Sequence, residues 1–159
     1  MKNPPATDSE VAAIRAIARL DRLVAHNLGE LSVAHYRILS AIAGGDERAS
    51  RLAVRFALGK PAVSSAVDSL TRSGLVAKLT VADDQRATTL SLTKKGRAVL
   101  AAAEADVAAA LGEVLAYAAD SDGLIEALSL LGAAIEAEAQ SRGAQATENS
   151  ASSALEAAE

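Results

Sequence analysis

The chain has 159 residues, half of them hydrophobic but only 2% aromatic, and a formal net charge of −4. That length bounds it to one domain, or one domain with extensions. The absence of cysteine excludes disulfides, thiolate metal sites and thiol redox sensing. Much of the apolar content is alanine, which fills helices well but buries little area, so many helices and a thin core are expected. A core of that kind is expected to need a second copy of the chain to bury enough surface. The opening residues MKNPPATDSE lack the apolar centre of a signal peptide, and no stretch has the uncharged apolar length of a membrane span. The expectation is a soluble cytoplasmic protein with no membrane partner.

In chain order, residues 1–7 carry two prolines and little pattern and read as a loose arm. Asp8 or Ser9 is expected to cap a helix running to about His26, with Val11, Ile14, Ile17, Ala18, Val24 and Leu28 at helical spacing. Gly29 stops it, and Ser32 caps a second helix over roughly 33–43, whose broad apolar side includes Val33, Tyr36 and Leu39. Gly44-Gly45-Asp46 ends that helix. Arg48 to Ala57 forms a short third helix, with Leu52, Val54 and Phe56 expected in the core. Leu58-Gly59-Lys60 is a tight turn, and Pro61 suits the first turn of a helix to about Ser73, where its missing N–H is unneeded. Val63, Ala66, Val67 and Leu70 face inward. Pro61, Ser65, Asp68 and Arg72 lie opposite, with Ser64 and Ser69 on the flanks, and Gly74 follows as the cap. This pair has the length and glycine-containing turn of a helix-turn-helix, whose second helix enters the major groove.

Leu75 to Lys78 and Ala87 to Leu92 alternate with period two on either side of a polar tip, Asp83-Asp84-Gln85-Arg86, and read as a β-hairpin. Thr93 is the expected cap of a long helix from Lys94 to about Ala119, and Asp120 or Ser121 caps a last helix over about 122–140. Residues 143–159, rich in Ala, Ser and Glu, read as disordered or a frayed helix.

Charge singles out one segment. Arg48 to Arg97 holds ten basic and three acidic residues, whereas only Arg142 stands against eleven acids after it. An acidic chain that concentrates its cations in one stretch suggests a surface built for a polyanion. Short side chains at Ser64 and Ser65 can hydrogen-bond bases or phosphates. A guanidinium at the hairpin tip, Arg86, suits the narrow and negative minor groove. Lys94 and Lys95 at a helix start suit phosphates, with Arg48, Arg51 and Arg55 flanking. The bland alternatives are a solvated face for the serines and lysines and a surface salt bridge for Arg86 with Asp84.

The LSVAHYRIL helix, the SRLA and PAVSSAVDSL pair, SGLVAK leading into the hairpin, DDQRATTLSLT and KKGR together resemble the MarR (multiple antibiotic resistance regulator) family of winged-helix transcription factors. The resemblance is closest over Leu31 to Leu100. Its most specific part is three motifs in register: Gly74-Leu75-Val76, Asp84-Gln85-Arg86 and Leu90 to Gly96. It implies a mainly α fold with a small β-hairpin wing, that is, a winged helix-turn-helix plus a helical dimerisation region made by both chain ends. The implied divisions are an arm and dimerisation helix over 1–30, a DNA-binding domain over 31–97, dimerisation helices over 98–141 and a disordered tail over 142–159. The helix matching Pro61–Ser73 lies in the major groove, Arg86 reaches the minor groove, and Asp84 braces it. Gln85 stands where the family often has a basic residue, which weakens the wing's charge. The expected DNA contacts are Ser50, Lys60, Pro61, Ser64, Ser65, Asp68, Arg72, Asp84, Arg86, Lys94 and Lys95. His35, Tyr36 and Arg37 are the candidates for a pocket that takes a small aromatic or phenolic ligand.

The reading is therefore a homodimeric DNA-binding regulator, a repressor acting on a double-stranded operator. The alternative is a winged-helix dimerisation adaptor that binds a protein partner. Gly59-Lys60 lacks the upstream glycine and the following Ser/Thr of a phosphate loop. His26 and His35 have no nearby ligand cluster, and no serine or carboxylate joins a histidine in a catalytic motif. No metal, cofactor or enzymatic activity is expected.

Overall fold

The computed structural model describes residues 5–45, 48–56, 59–80 and 88–156. Six helices and one hairpin follow in order: α1 (Asp8–Asn27), α2 (Val33–Ala43), α3 (Ala49–Arg55), α4 (Lys60–Arg72), β1 (Val76–Thr80), β2 (Thr88–Leu92), α5 (Lys94–Leu115) and α6 (Ser121–Glu156). The fold is mainly α with a two-stranded antiparallel wing, as the alternation of helical and period-two patterns predicts.

Caps fix most of the helix starts. The first one differs from expectation: Thr7, not Asp8 or Ser9, caps α1. Its hydroxyl accepts from the Glu10 N–H at 3.3 Å, and the Glu10 carboxylate accepts from the Thr7 N–H at 2.7 Å. Both halves of a capping box are thereby made, and only Thr7 has a glutamate three places on to complete it. The Thr7 N–H foremost, and then the Thr7 hydroxyl, which donates to the same carboxylate at 2.8 Å, hold the Glu10 carboxyl below its ordinary pKa. Thr7→Ala should make the first-turn amides of α1 exchange roughly fivefold faster, with the global melt little changed, as hydrogen-exchange NMR would show. Ser32 and Thr93 cap α2 and α5 as expected, accepting from the N–H groups of His35 and Gly96.

One apolar cluster joins α2, α3, α4, the hairpin and the first half of α5. Leu28, Ile38, Leu39, Leu52, Leu70 and Leu90 are its largest fully enclosed side chains. Each such leucine or isoleucine contributes about 1.5–3 kcal/mol by leaving water. Val76, Lys78 and Thr80 of β1 pair with Leu92, Leu90 and Thr88 of β2, so these positions share a sheet face. Val76, Leu90 and Leu92 on that face are buried in the core, while Leu79 on the opposite face is exposed.

The junction between α4 and α5 is a backbone clasp. Gly74, at φ +71°, ends α4, and its N–H and that of Leu75 donate to the carbonyls of Thr71 and Leu70. That is the Schellman pattern, which a glycine allows without strain. The Thr93 hydroxyl then donates to the Gly74 carbonyl at 2.7 Å, and the Thr93 N–H donates to the Leu75 carbonyl at 3.0 Å. Gly96 passes so close that an added Cβ would sit 2.0 Å from the Leu75 oxygen.

The C-terminal half departs from the sequence reading in extent. α5 ends at Leu115 rather than near Ala119. α6 starts after Asp120, whose carboxylate accepts from the Gly123 N–H at 2.9 Å, and continues to Glu156 rather than stopping near 140. The stretch expected to be a disordered or frayed tail is thus helical to Glu156. Its alanines, glutamines and glutamates have high intrinsic helix propensity, and no proline interrupts them. Leu124, Leu128, Leu131 and Ile135 lie along one side of α6 and are all exposed, as are Ile14 and Ile17 of α1 and Val114 of α5. Among the described residues no helix is long and apolar enough to cross a membrane.

Candidate nucleic-acid interface

α4 is strongly two-sided. Val63, Val67 and Leu70 are buried, which seats the helix on the core and turns the other side outward. Pro61, Ser64, Ser65, Asp68 and Arg72 are all exposed. Small side chains at 64 and 65 let another surface approach the helix backbone closely. α3 packs on α4 as the first helix of the pair, with Leu52 enclosed and Arg51 exposed. The side chains of Ser50, Val54 and Lys60 lie outside the described residues, as do Asp83, Asp84, Gln85 and Arg86 at the wing tip.

Asp68 is the sole acid on α4, and it is paired. The Lys78 ammonium of β1 donates to its carboxylate at 2.6 Å. That bond and the lysine's charge, with a smaller contribution from Arg72, hold the Asp68 carboxyl below the usual carboxylate range. Sequence reading missed Lys78 as part of this surface. The signal was available: a cation stands two residues along the strand from Val76, which alternation turns inward.

The two lysines at the start of α5 behave differently. Lys95 donates to the Ser73 carbonyl at 3.0 Å, so it satisfies an orphan acceptor at the end of α4. Lys94 is exposed. Arg97 donates to the Leu92 carbonyl at 2.7 Å. Arg55 of α3 pairs with Glu136 of α6, tying the helix pair to the C-terminal helix.

The three ligand-pocket candidates on α2 diverge, because successive helical residues point about 100° apart. Arg37 is exposed and 3.6 Å from Asp21. Tyr36 packs half-buried on the core, and burial, with help from Glu104, pushes its hydroxyl pKa above the ordinary value against the bond it makes with Ser40. His35 is half-buried near the helix start. A crevice of about 370 Å³ lies elsewhere, between the end of α1 and the middle of α5, lined by His26, Asn27, Gly29, Asp106, Ala109, Ala110 and Glu113. Among the described residues no three His, Asp or Glu side chains are grouped so as to hold a metal ion.

Residues 30–87, which include α2, α3, α4 and β1, match the family model described as MarR family. Over those residues the chain is similar to the MarR family. Solved structures of this architecture align along most of the chain. The transcriptional regulator BldR from Sulfolobus solfataricus is 26% identical, with a TM-score of 0.62 over 82% of this chain and 99% of that one. The transcriptional repressor CouR, bound to a 23-mer DNA duplex, is 25% identical, with a TM-score of 0.65 over 82% and 98%. CouR from Rhodococcus jostii RHA1 bound to p-coumaroyl-CoA gives 22%, 0.65, 80% and 92%. No curated protein matches by sequence. α4 and the β1–β2 hairpin stand in the order expected from the sequence for the second helix of a helix-turn-helix and its wing.

Proposed function

We propose that this chain is a MarR-type transcriptional repressor that binds a double-stranded operator as a homodimer in the cytoplasm and is released by a small aromatic or phenolic ligand. The observation that carries the reading is α4: exposed Ser64 and Ser65 stand over a buried apolar face, within the one cationic segment of an acidic chain. CouR, which shares this architecture, has been solved both on DNA and with a phenolic acyl-CoA, which supports the operator and the ligand class. The uncovered apolar stripe on α6, with Ile14 and Ile17 of α1, supports a second copy as the covering surface. A dimer presents two α4 helices to half-sites about one turn of DNA apart.

Fluorescence anisotropy with the duplex upstream of its own gene, at two salt concentrations, tests the reading. Specific binding that weakens steeply with salt is expected. Arg86→Ala should weaken it by about 1–3 kcal/mol and make the log–log salt slope shallower by about 0.9, the share of one phosphate-directed cation. A folded dimer without specific binding would favour the adaptor reading instead.

A further inference from the structure

Lys78 stands at a position that ought to be apolar. It pairs across the hairpin with Leu90, which is buried, and shares a sheet face with Val76 and Leu92, which are buried too. A groove of about 280 Å³ lies there between α4 and the hairpin, lined by Ala49, Ser64, Val67, Asp68, Lys78 and Leu90. The lysine stem runs along apolar walls, and its ammonium ends on Asp68 at 2.6 Å. Ser64 borders the same groove and is exposed on the α4 face assigned to DNA. The ammonium therefore sits at the edge of that face, on a side chain 43% exposed, and a carboxylate holds it.

We propose that Asp68 is a specificity-determining residue, which acts by tethering the Lys78 ammonium to α4 and so withholding it from the phosphate backbone. The inference rests on the DNA-binding reading above. A cation that neutralises a phosphate adds affinity for every duplex alike, because the backbone carries no sequence. A cation neutralised by a carboxylate of its own chain adds none. The tether also keeps the acid on α4 from meeting phosphates as a bare negative charge. Arg72, one helical turn beyond Asp68, is a second cation near the carboxylate, but no bond joins it to Asp68 among the described residues. It remains available to DNA, whereas Lys78 does not.

The test uses the full-length protein with an operator duplex and a scrambled duplex, each titrated over a salt series. Asp68→Asn frees the lysine. Its affinity for the scrambled duplex should rise several-fold, its salt slope should steepen by about 0.9, and its operator-to-scrambled ratio should fall. Asp68→Glu keeps a carboxylate for the lysine, so its salt slope should stay shallower than that of Asp68→Asn. Lys78→Gln should take about one phosphate's share from the slope in the Asp68→Asn background and far less in the wild-type background. A purely structural pair would move the melting temperature but not the slope. An unchanged slope and scrambled-duplex affinity in Asp68→Asn overturn the tether, as does an equal effect of Lys78→Gln in both backgrounds. A wild-type protein that binds neither duplex overturns the DNA reading itself, and the tether with it.

Discussion

Gly96→Ala is expected to destabilise the protein by about 2–3 kcal/mol, the upper range for overpacking. Helix propensity argues the other way, since alanine in a helix is better than glycine by about 1 kcal/mol. The geometry decides. The new methyl would lie 2.0 Å from the Leu75 oxygen and 2.9 Å from its carbonyl carbon. Both are backbone atoms pinned by the Thr93 N–H and the end of α4, so neither can swing aside as a side-chain tip would. Urea denaturation should show a lower midpoint with an unchanged m-value. Gly112→Ala on the same helix is the control: nothing lies within 4 Å of its added methyl, so there the propensity gain should survive and raise stability by about 0.5–1 kcal/mol.

Leu131→Asp is expected to separate the protomers and lower operator affinity by about two orders of magnitude or more, because two linked half-site contacts become one. Leu131 sits mid-stripe between Leu128 and Ile135 on the exposed side of α6. A carboxylate there would have to be buried unpaired on dimerisation, which costs several kcal/mol. Sedimentation should report a monomer whose helical content is preserved, and anisotropy should report the affinity. A variant that stays dimeric and binds normally would place the contact between copies on another face.

The helices were legible in the sequence because their apolar positions recur at the right interval and most of their caps are unambiguous by residue type. Ser32 and Thr93 stand alone before their helices. Thr7, Asp8 and Ser9 are all good cap residues, and only the reciprocal bond to Glu10 chooses among them. The length of α6 was not legible, since beyond Ile135 it has no apolar period to mark it and is carried by propensity alone. On the interface, the small polar face of α4 followed directly from the period of its buried residues. What did not follow were partners distant in sequence: Lys78 with Asp68, Lys95 with the Ser73 carbonyl and Arg55 with Glu136. A basic residue read alone looks like a ligand for phosphate. Only the fold shows which of them the protein has already engaged.

The clasp at Thr93 has a mechanical consequence. It makes the first turn of α5 a fulcrum that α4 shares, while the remaining arm of this 22-residue helix extends about 27 Å away from it. The acidic crevice lies along that arm, at Asp106, Ala109, Ala110 and Glu113. Tilting the arm by about 5° displaces its far end by roughly 2 Å. On the function proposed above, leverage of this kind would couple a small molecule beside α5 to the seating of α4.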